Sequence, residues 1–180
     1  MKGISDDDLM RAVSSGDLDA FNELVLRYQG VAWKTAYRFL GDAMESEDIA
    51  QESFLRILAA APRYRPTATF RTYFYRTLTH LCIDRLRKRK FTTIDDIPEP
   101  ADPSRGPEGN LIEKERGDRV RKAIETLPSN QKAAIILRHY EGLSYAEISR
   151  VLGVTLKAVE RLISRARASL QALLSDHPEQ

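Results

Sequence analysis

A chain of 180 residues, 42% hydrophobic and 30% charged, has the make-up of a soluble globular protein of one medium or two small domains, which excludes a long disordered chain. No stretch approaches the roughly 18–20 uninterrupted apolar residues of a membrane span, and the opening MKGISDDDLM lacks the apolar core of a signal peptide, so a cytoplasmic protein without membrane insertion is expected. Cys82 is the only cysteine, so no internal disulfide forms, and no Cys or His pair stands at metal-ligand spacing; no metal or cofactor is expected, and Cys82 reads as a small buried apolar residue. The net charge of +2 is unevenly spread: Asp42 to Glu52 carries five acids and no base, whereas Arg85 to Lys90 carries five bases in six positions. Two different partners are implied, one of them polyanionic.

The apolar spacing is helical throughout, with no period-two run of β-branched residues, so the predicted class is all-α. A short helix bearing Leu9 and Val13 comes first. A long one follows, with Phe21, Leu24, Tyr28, Val31 and Ala32 on its inner face, ending near Gly41. The third, from about Ser46 to Ala60, buries Ala50, Phe54 and Ile57 and stops at Pro62. Its exposed side carries Glu47, Asp48, Gln51 and Glu52 around Leu55, an apolar residue rimmed by acids that resembles an interface anchor, although acids also favour a helix N-terminus.

The fourth helix, about Phe70 to Lys88, buries Phe70, Phe74, Leu78, Leu81 and Cys82. The helical wheel turns Thr72, Arg76, Thr79, His80, Ile83 and Arg87 the other way. Arg63, Tyr64 and Arg65 precede it, and Tyr73 and Tyr75 lie on it. Aromatic rings alternating with guanidinium groups suit single-stranded nucleic acid, where rings stack on bases and cations follow the backbone. Residues 91–110 then hold Pro98, Pro100, Pro103 and Pro107 with five acids, a composition that reads as a flexible acidic linker between two small helical domains.

The second domain begins with a helix that ends at Leu127-Pro128, followed by helices from about Asn130 to His139, Tyr145 to Leu152 and Leu156 to Leu174. Ser144-Tyr145-Ala146-Glu147 is a capping box, Gly153 supplies a tight turn and Thr155 caps the next helix. Ile148, Leu152, Val154, Val159 and Leu162 fall where two crossed helices lock together. This is a helix-turn-helix. On its last helix Leu156, Val159, Leu162, Ile163, Ala166 and Leu170 form one face, leaving Lys157, Glu160, Arg161 and Ser164 opposite, with Arg165 and Arg167 at the flanks. Bases among small residues suit the major groove.

Three segments resemble extracytoplasmic-function sigma factors in order and type. Glu47 to Arg56 looks like that family's polymerase-binding helix, Phe70 to Arg76 with Leu81 to Lys88 like its melting and minus ten segment, and Leu127 to Leu170 like its minus thirty-five domain. The resemblance implies a non-enzymatic transcription-initiation subunit that binds core RNA polymerase through Glu47, Asp48, Gln51, Glu52 and Leu55. It implies minus ten recognition on the melted non-template strand by Arg63, Tyr64, Tyr73, Arg76, Thr79, His80, Ile83 and Arg87. Duplex minus thirty-five DNA would be read by Thr155, Lys157, Glu160, Arg161, Ser164 and Arg165.

The domains implied are 1–90 and 113–180, joined by a linker over 91–112, with an anti-sigma factor as a further partner and a stress or envelope-signal regulon. Thr79-His80 stands where the family commonly has Arg-Asn, and Lys157-Ala158-Val159-Glu160-Arg161 departs from its frequent recognition sequence, so the base preferences should differ. Two rival readings are an ordinary helix-turn-helix regulator with a sensing N-terminal domain and an enzyme. Against the first stands the lack of a strand-rich receiver pattern; against the second, that His80, His139 and His177 have no evident catalytic partners.

Overall fold

The computed structural model describes residues 3–92 and 111–175, giving only the backbone of 91, 92 and 111–116; most of the proposed linker therefore lies outside the described residues. Helices and their connections account for the described chain, which contains no strand. The first domain holds α1 (Asp6–Ser14), α2 (Leu18–Leu40), α3 (Ala43–Ala60), a 3-10 turn at Ala61–Arg63, and α4 (Phe70–Thr92).

Each early helix starts on a side-chain cap. Ser5 accepts from the Asp8 amide at 3.1 Å, Asp17 from Ala20 at 2.9 Å and Asp42 from Glu45 at 2.8 Å, satisfying amides that the helix itself leaves unpaired. The α4 start is tied to α1, because the Phe70 amide donates to Asp7 at 2.5 Å. Gly41 ends α2 at φ 68°, a left-handed conformation that a side chain would strain.

Aromatic rings hold these helices together. Tyr28 of α2 sits 5.2 Å from Phe70 and 4.7 Å from Phe74, and Phe54 of α3 lies 6.0 Å from Phe74. Phe74 is wholly buried at the centre, and burying a side chain of that size stabilises by about 1.5–3 kcal/mol. The Tyr28 hydroxyl donates to Asp6 at 2.6 Å, so α2 also fixes α1.

The second domain runs α5 (Leu111–Glu125), α6 (Ser129–Ile135) continuing as a π-helical turn Ile136–Tyr140, α7 (Tyr145–Leu152) and α8 (Leu156–Ser175). The capping box forms as the sequence predicts: the Glu147 amide donates to Ser144 Oγ at 3.2 Å, and the Ser144 amide donates back to the Glu147 carboxylate at 2.8 Å. Gly153 turns the chain at φ 66°, and Ile148, Val151, Val159 and Ile163 close the core between α7 and α8. The core of this domain is continuous with that of the first, because α4 packs against α6 and α7 as well as against α2 and α3.

Candidate nucleic-acid and polymerase interfaces

Three surfaces carry the predicted residues. On α3, Glu47, Asp48, Gln51 and Leu55 are exposed on one face, with Gln51 donating to Glu47 at 3.0 Å; Glu52 is half-buried and pairs with Arg56 at 2.8 Å. Leu55 is 61% exposed. Met44, three turns earlier on the same face, is 82% exposed and was not among the residues singled out from sequence. Two large exposed apolar side chains with acids and an amide between them make a surface stripe that water alone does not favour.

The second surface is a cleft of about 250 Å³ lined by Tyr64, Arg65, Thr72, Tyr73 and Arg76 from the first domain and by Arg150 of α7. Pro62 in the 3-10 turn directs the chain so that the Tyr64 and Tyr73 rings meet at 5.2 Å. Burial raises the pKa of both phenols, which stay protonated at neutral pH. The Tyr64 hydroxyl is buried with no hydrogen-bond partner among the described residues. Arg65, Arg76 and Arg150 make no ion pair among the described residues, so three guanidinium groups and two rings converge on one opening. Arg65 and Arg150 were not in the predicted site. Arg63, which was, points to solvent beside the cleft without lining it.

Along α4 the structure corrects part of the sequence reading. Arg76, His80 and Arg87 are exposed as expected, but Thr79 and Ile83 are buried, and so is Thr72. The wheel places Thr72, Thr79 and Ile83 on the side away from the Phe74 core, with Arg71 and Tyr75 at the flank between, and the second domain packs on α4 through α6 and α7. Thr79 Oγ1 is left without a partner among the described residues, a cost of about 1–3 kcal/mol.

The centre of this junction is Glu141, in the turn before α7, whose side chain is only 6% exposed. Its carboxylate accepts from Thr35 at 2.9 Å, Arg38 at 3.0 Å and the Tyr75 hydroxyl at 2.9 Å; its backbone carbonyl accepts from Arg71, which also pairs with Glu147 at 3.4 Å. Burial, reinforced by the neighbouring Glu141 carboxylate, raises the Tyr75 pKa, so that phenol remains a donor. Nearby, Lys132 of α6 is buried and donates to the carbonyl of Phe39 at 3.2 Å; burial lowers its pKa.

The third surface is α8. Lys157, Glu160, Arg161, Ser164 and Arg165 are exposed, while Val159, Ile163 and Ala166 are buried, as the wheel requires. Thr155 caps the helix, accepting from the Ala158 amide at 3.2 Å. Leu156, expected on the inner face, is instead half exposed, because the first residue of the helix projects past the end of α7. His139 lies 3.4 Å from Arg167; its pKa is lowered by burial and then by Arg167 and Arg138, so at neutral pH it adds no charge. Cys82 is buried, and desolvation raises its thiol pKa, which leaves it inert. Among the described residues no group of acids, histidines or cysteines is placed to hold a metal ion, and no helix is long and apolar enough to cross a membrane.

Residues 24–92 match the family model for sigma-70 region 2, and residues 117–170 that for sigma-70 region 4. The chain is 33% identical over 164 residues to the ECF RNA polymerase sigma factor SigE of Mycolicibacterium smegmatis, covering 89% of this chain but 63% of that protein. It is 30% identical over 178 residues to SigW of Bacillus subtilis, covering 93% of this chain and 95% of that one. The solved structure of CnrH in complex with the cytosolic domain of CnrY superposes with a TM-score of 0.73 at 29% identity, over 96% of this chain and 99% of that one. The sigma factor RpoE of Bartonella quintana, solved with the anti-sigma factor NepR, shares the fold at 21% identity and a TM-score of 0.68, over 86% and 96% of the two chains. With regions 2 and 4 both matched and nearly the whole of SigW spanned, the chain belongs to the ECF family of RNA polymerase sigma factors.

Proposed function

We propose that this sigma factor divides its work among the three surfaces: the α3 stripe docks on core RNA polymerase, the cleft and α4 take the melted non-template strand at the minus ten element, and α8 enters the major groove at minus thirty-five. The domains fall at about 1–90 and 113–180, with the linker over 91–112. A family of initiation subunits implies no enzymatic step, so each surface acts by binding. Its place of action is the cytoplasm, where the polymerase works.

The observation that carries the proposal is that the cleft and α8 are built for different forms of DNA. Two aromatic rings beside exposed guanidinium groups suit unstacked bases. A helix presenting Lys157, Arg161 and Arg165 on successive turns suits duplex edges and phosphates. An anti-sigma protein is included as a partner, since RpoE of this fold is held by one. The exposed α3 stripe is a surface that such a partner would cover, which fits a regulon switched on by stress or an envelope signal.

The test is transcription of sheared host DNA by sigma-free core polymerase with the purified chain, followed by mapping of RNA 5′ ends. Discrete starts that share upstream sequence and depend on the chain support the proposal; random starts, with specific duplex binding in the absence of polymerase, overturn it. Leu55→Asp, which puts a charge into the proposed contact, should cost core binding about 2 kcal/mol or more while the helical content stays unchanged.

A further inference from the structure

The cleft between Tyr64 and Arg150 draws its lining from three pieces of chain. Tyr64 and Arg65 come from the loop after the 3-10 turn, Tyr73 and Arg76 from α4, and Arg150 from α7. Short side chains, Thr67, Ala68 and Thr72, complete the lining and leave about 250 Å³ open. That volume lies just below the roughly 300–1,000 Å³ of small-molecule sites and suits a ligand the size of one nucleotide.

The lining is of two kinds. The Tyr64 and Tyr73 rings meet at 5.2 Å with their planes tilted by 57°, so they form an apolar corner and do not spend their faces on each other as a parallel stack would. A flat ring can lie against that corner. Burial keeps both phenols protonated, so neither repels an anion. The side chains of Arg65, Arg76 and Arg150 are exposed and make no ion pair among the described residues. Three like charges on one opening raise the local concentration of anions, and guanidinium groups grip phosphate oxygens through paired N–H donors.

We propose that this cleft is a binding site for a free nucleoside monophosphate, with the base on the Tyr64–Tyr73 corner and the phosphate among Arg65, Arg76 and Arg150. Both halves of the ligand are needed to account for the lining. An inorganic anion would leave the rings without a use, and an uncharged aromatic would leave three cations without a counter-charge. The site rests on the lining alone and does not require the minus ten role given to the cleft. Where that role holds, nucleotide and melted strand need the same rings and the same Arg76, so the nucleotide competes with strand capture.

The test is calorimetric titration of the full chain with AMP, GMP, CMP and UMP, and with inorganic phosphate. At least one nucleotide should bind about tenfold or more tighter than phosphate, because stacking on a ring adds to the ionic contact. Arg150→Ala should weaken that nucleotide about tenfold or more, the loss of a charged hydrogen bond. Tyr73→Leu should weaken the nucleotide and leave phosphate binding unchanged. Lys34→Ala, which removes an exposed cation of α2 outside the cleft, should change neither.

Nucleotides that bind no tighter than phosphate would overturn the site. Equal losses in Arg150→Ala and Lys34→Ala would do the same, by reducing the binding to general charge. Competition is read separately, from the anisotropy of a labelled single-stranded minus ten oligonucleotide from a mapped promoter. Displacement of that strand by the nucleotide supports one shared site. A nucleotide that binds and responds to Arg150→Ala without displacing the strand supports the ligand site and removes the cleft from strand reading.

Discussion

Glu147 closes the capping box of α7 and also meets Arg71 of α4, so one carboxylate serves both the helix start and the junction between domains. The backbone hydrogen bond from Ser144 is the largest influence on its pKa, which lies below the ordinary value of 4.5. An acid with a depressed folded pKa adds stability that is complete above the unfolded value and is lost as pH falls through the folded one. Ser144→Ala should cost about 1 kcal/mol in urea unfolding at pH 7. Glu147→Gln should flatten the acid limb below pH 4.5 relative to wild type; an unchanged limb would mean that the carboxylate gains nothing from its cap. The box was legible in the sequence because both partners lie three residues apart. Glu141 was not, because its carboxylate meets Tyr75, Arg38 and Thr35, which are 66, 103 and 106 residues away, and no local pattern marks a residue whose partners are that distant.

At the scale of helices, the wheel worked for α8 and only partly for α4. The outer face of α8 meets solvent, so its polar residues fall where periodicity puts them. On α4 a second buried face opposes the first, and a row of Thr72, Thr79 and Ile83 mixed with bases reads as a contact surface without revealing that the contact is the chain's own second domain. Met44 on α3 escaped notice because it precedes the expected helix start at Ser46, whereas Asp42 caps the helix four residues earlier. The role proposed for α8 divides into two kinds of contact, each with its own test. Arg161→Ala should weaken binding to the minus thirty-five duplex by about 1–3 kcal/mol and relax specificity if the guanidinium reads a base. Lys157→Ala should weaken specific and random duplexes alike and lower the salt slope by about one if the ammonium meets a phosphate. Anisotropy titrations across a salt series on both duplexes decide each assignment, and equal losses on the two duplexes for Arg161→Ala would make it a phosphate contact.

For the molecule as a whole, Lys132 is the cation that joins the domains most deeply. Its ammonium lies against the Phe39 carbonyl in the last turn of α2, where the helix leaves carbonyls unpaired and its dipole favours positive charge; Arg89 serves the Leu40 carbonyl beside it at 2.8 Å. Burial nonetheless lowers the Lys132 pKa below 10.5. The folded chain therefore binds fewer protons than the unfolded one between its folded pKa and 10.5, and this residue's contribution to stability rises with pH across that window. The opposing trend comes from Tyr28 and Tyr75, whose pKa values burial raises: the unfolded chain loses those protons first as pH passes 10, which lowers stability. Lys132→Met leaves the tyrosines in place, so the difference between wild type and variant isolates the lysine. At pH 7 the variant should lie within about 1 kcal/mol of wild type, since the lost carbonyl contact and the relieved burial of charge oppose each other. As pH rises toward 10.5 wild type should gain on the variant in urea unfolding, because only wild type can shed that proton. A constant difference over the range would mean that the ammonium is hydrated and the domains are less tightly joined there than the buried contact implies.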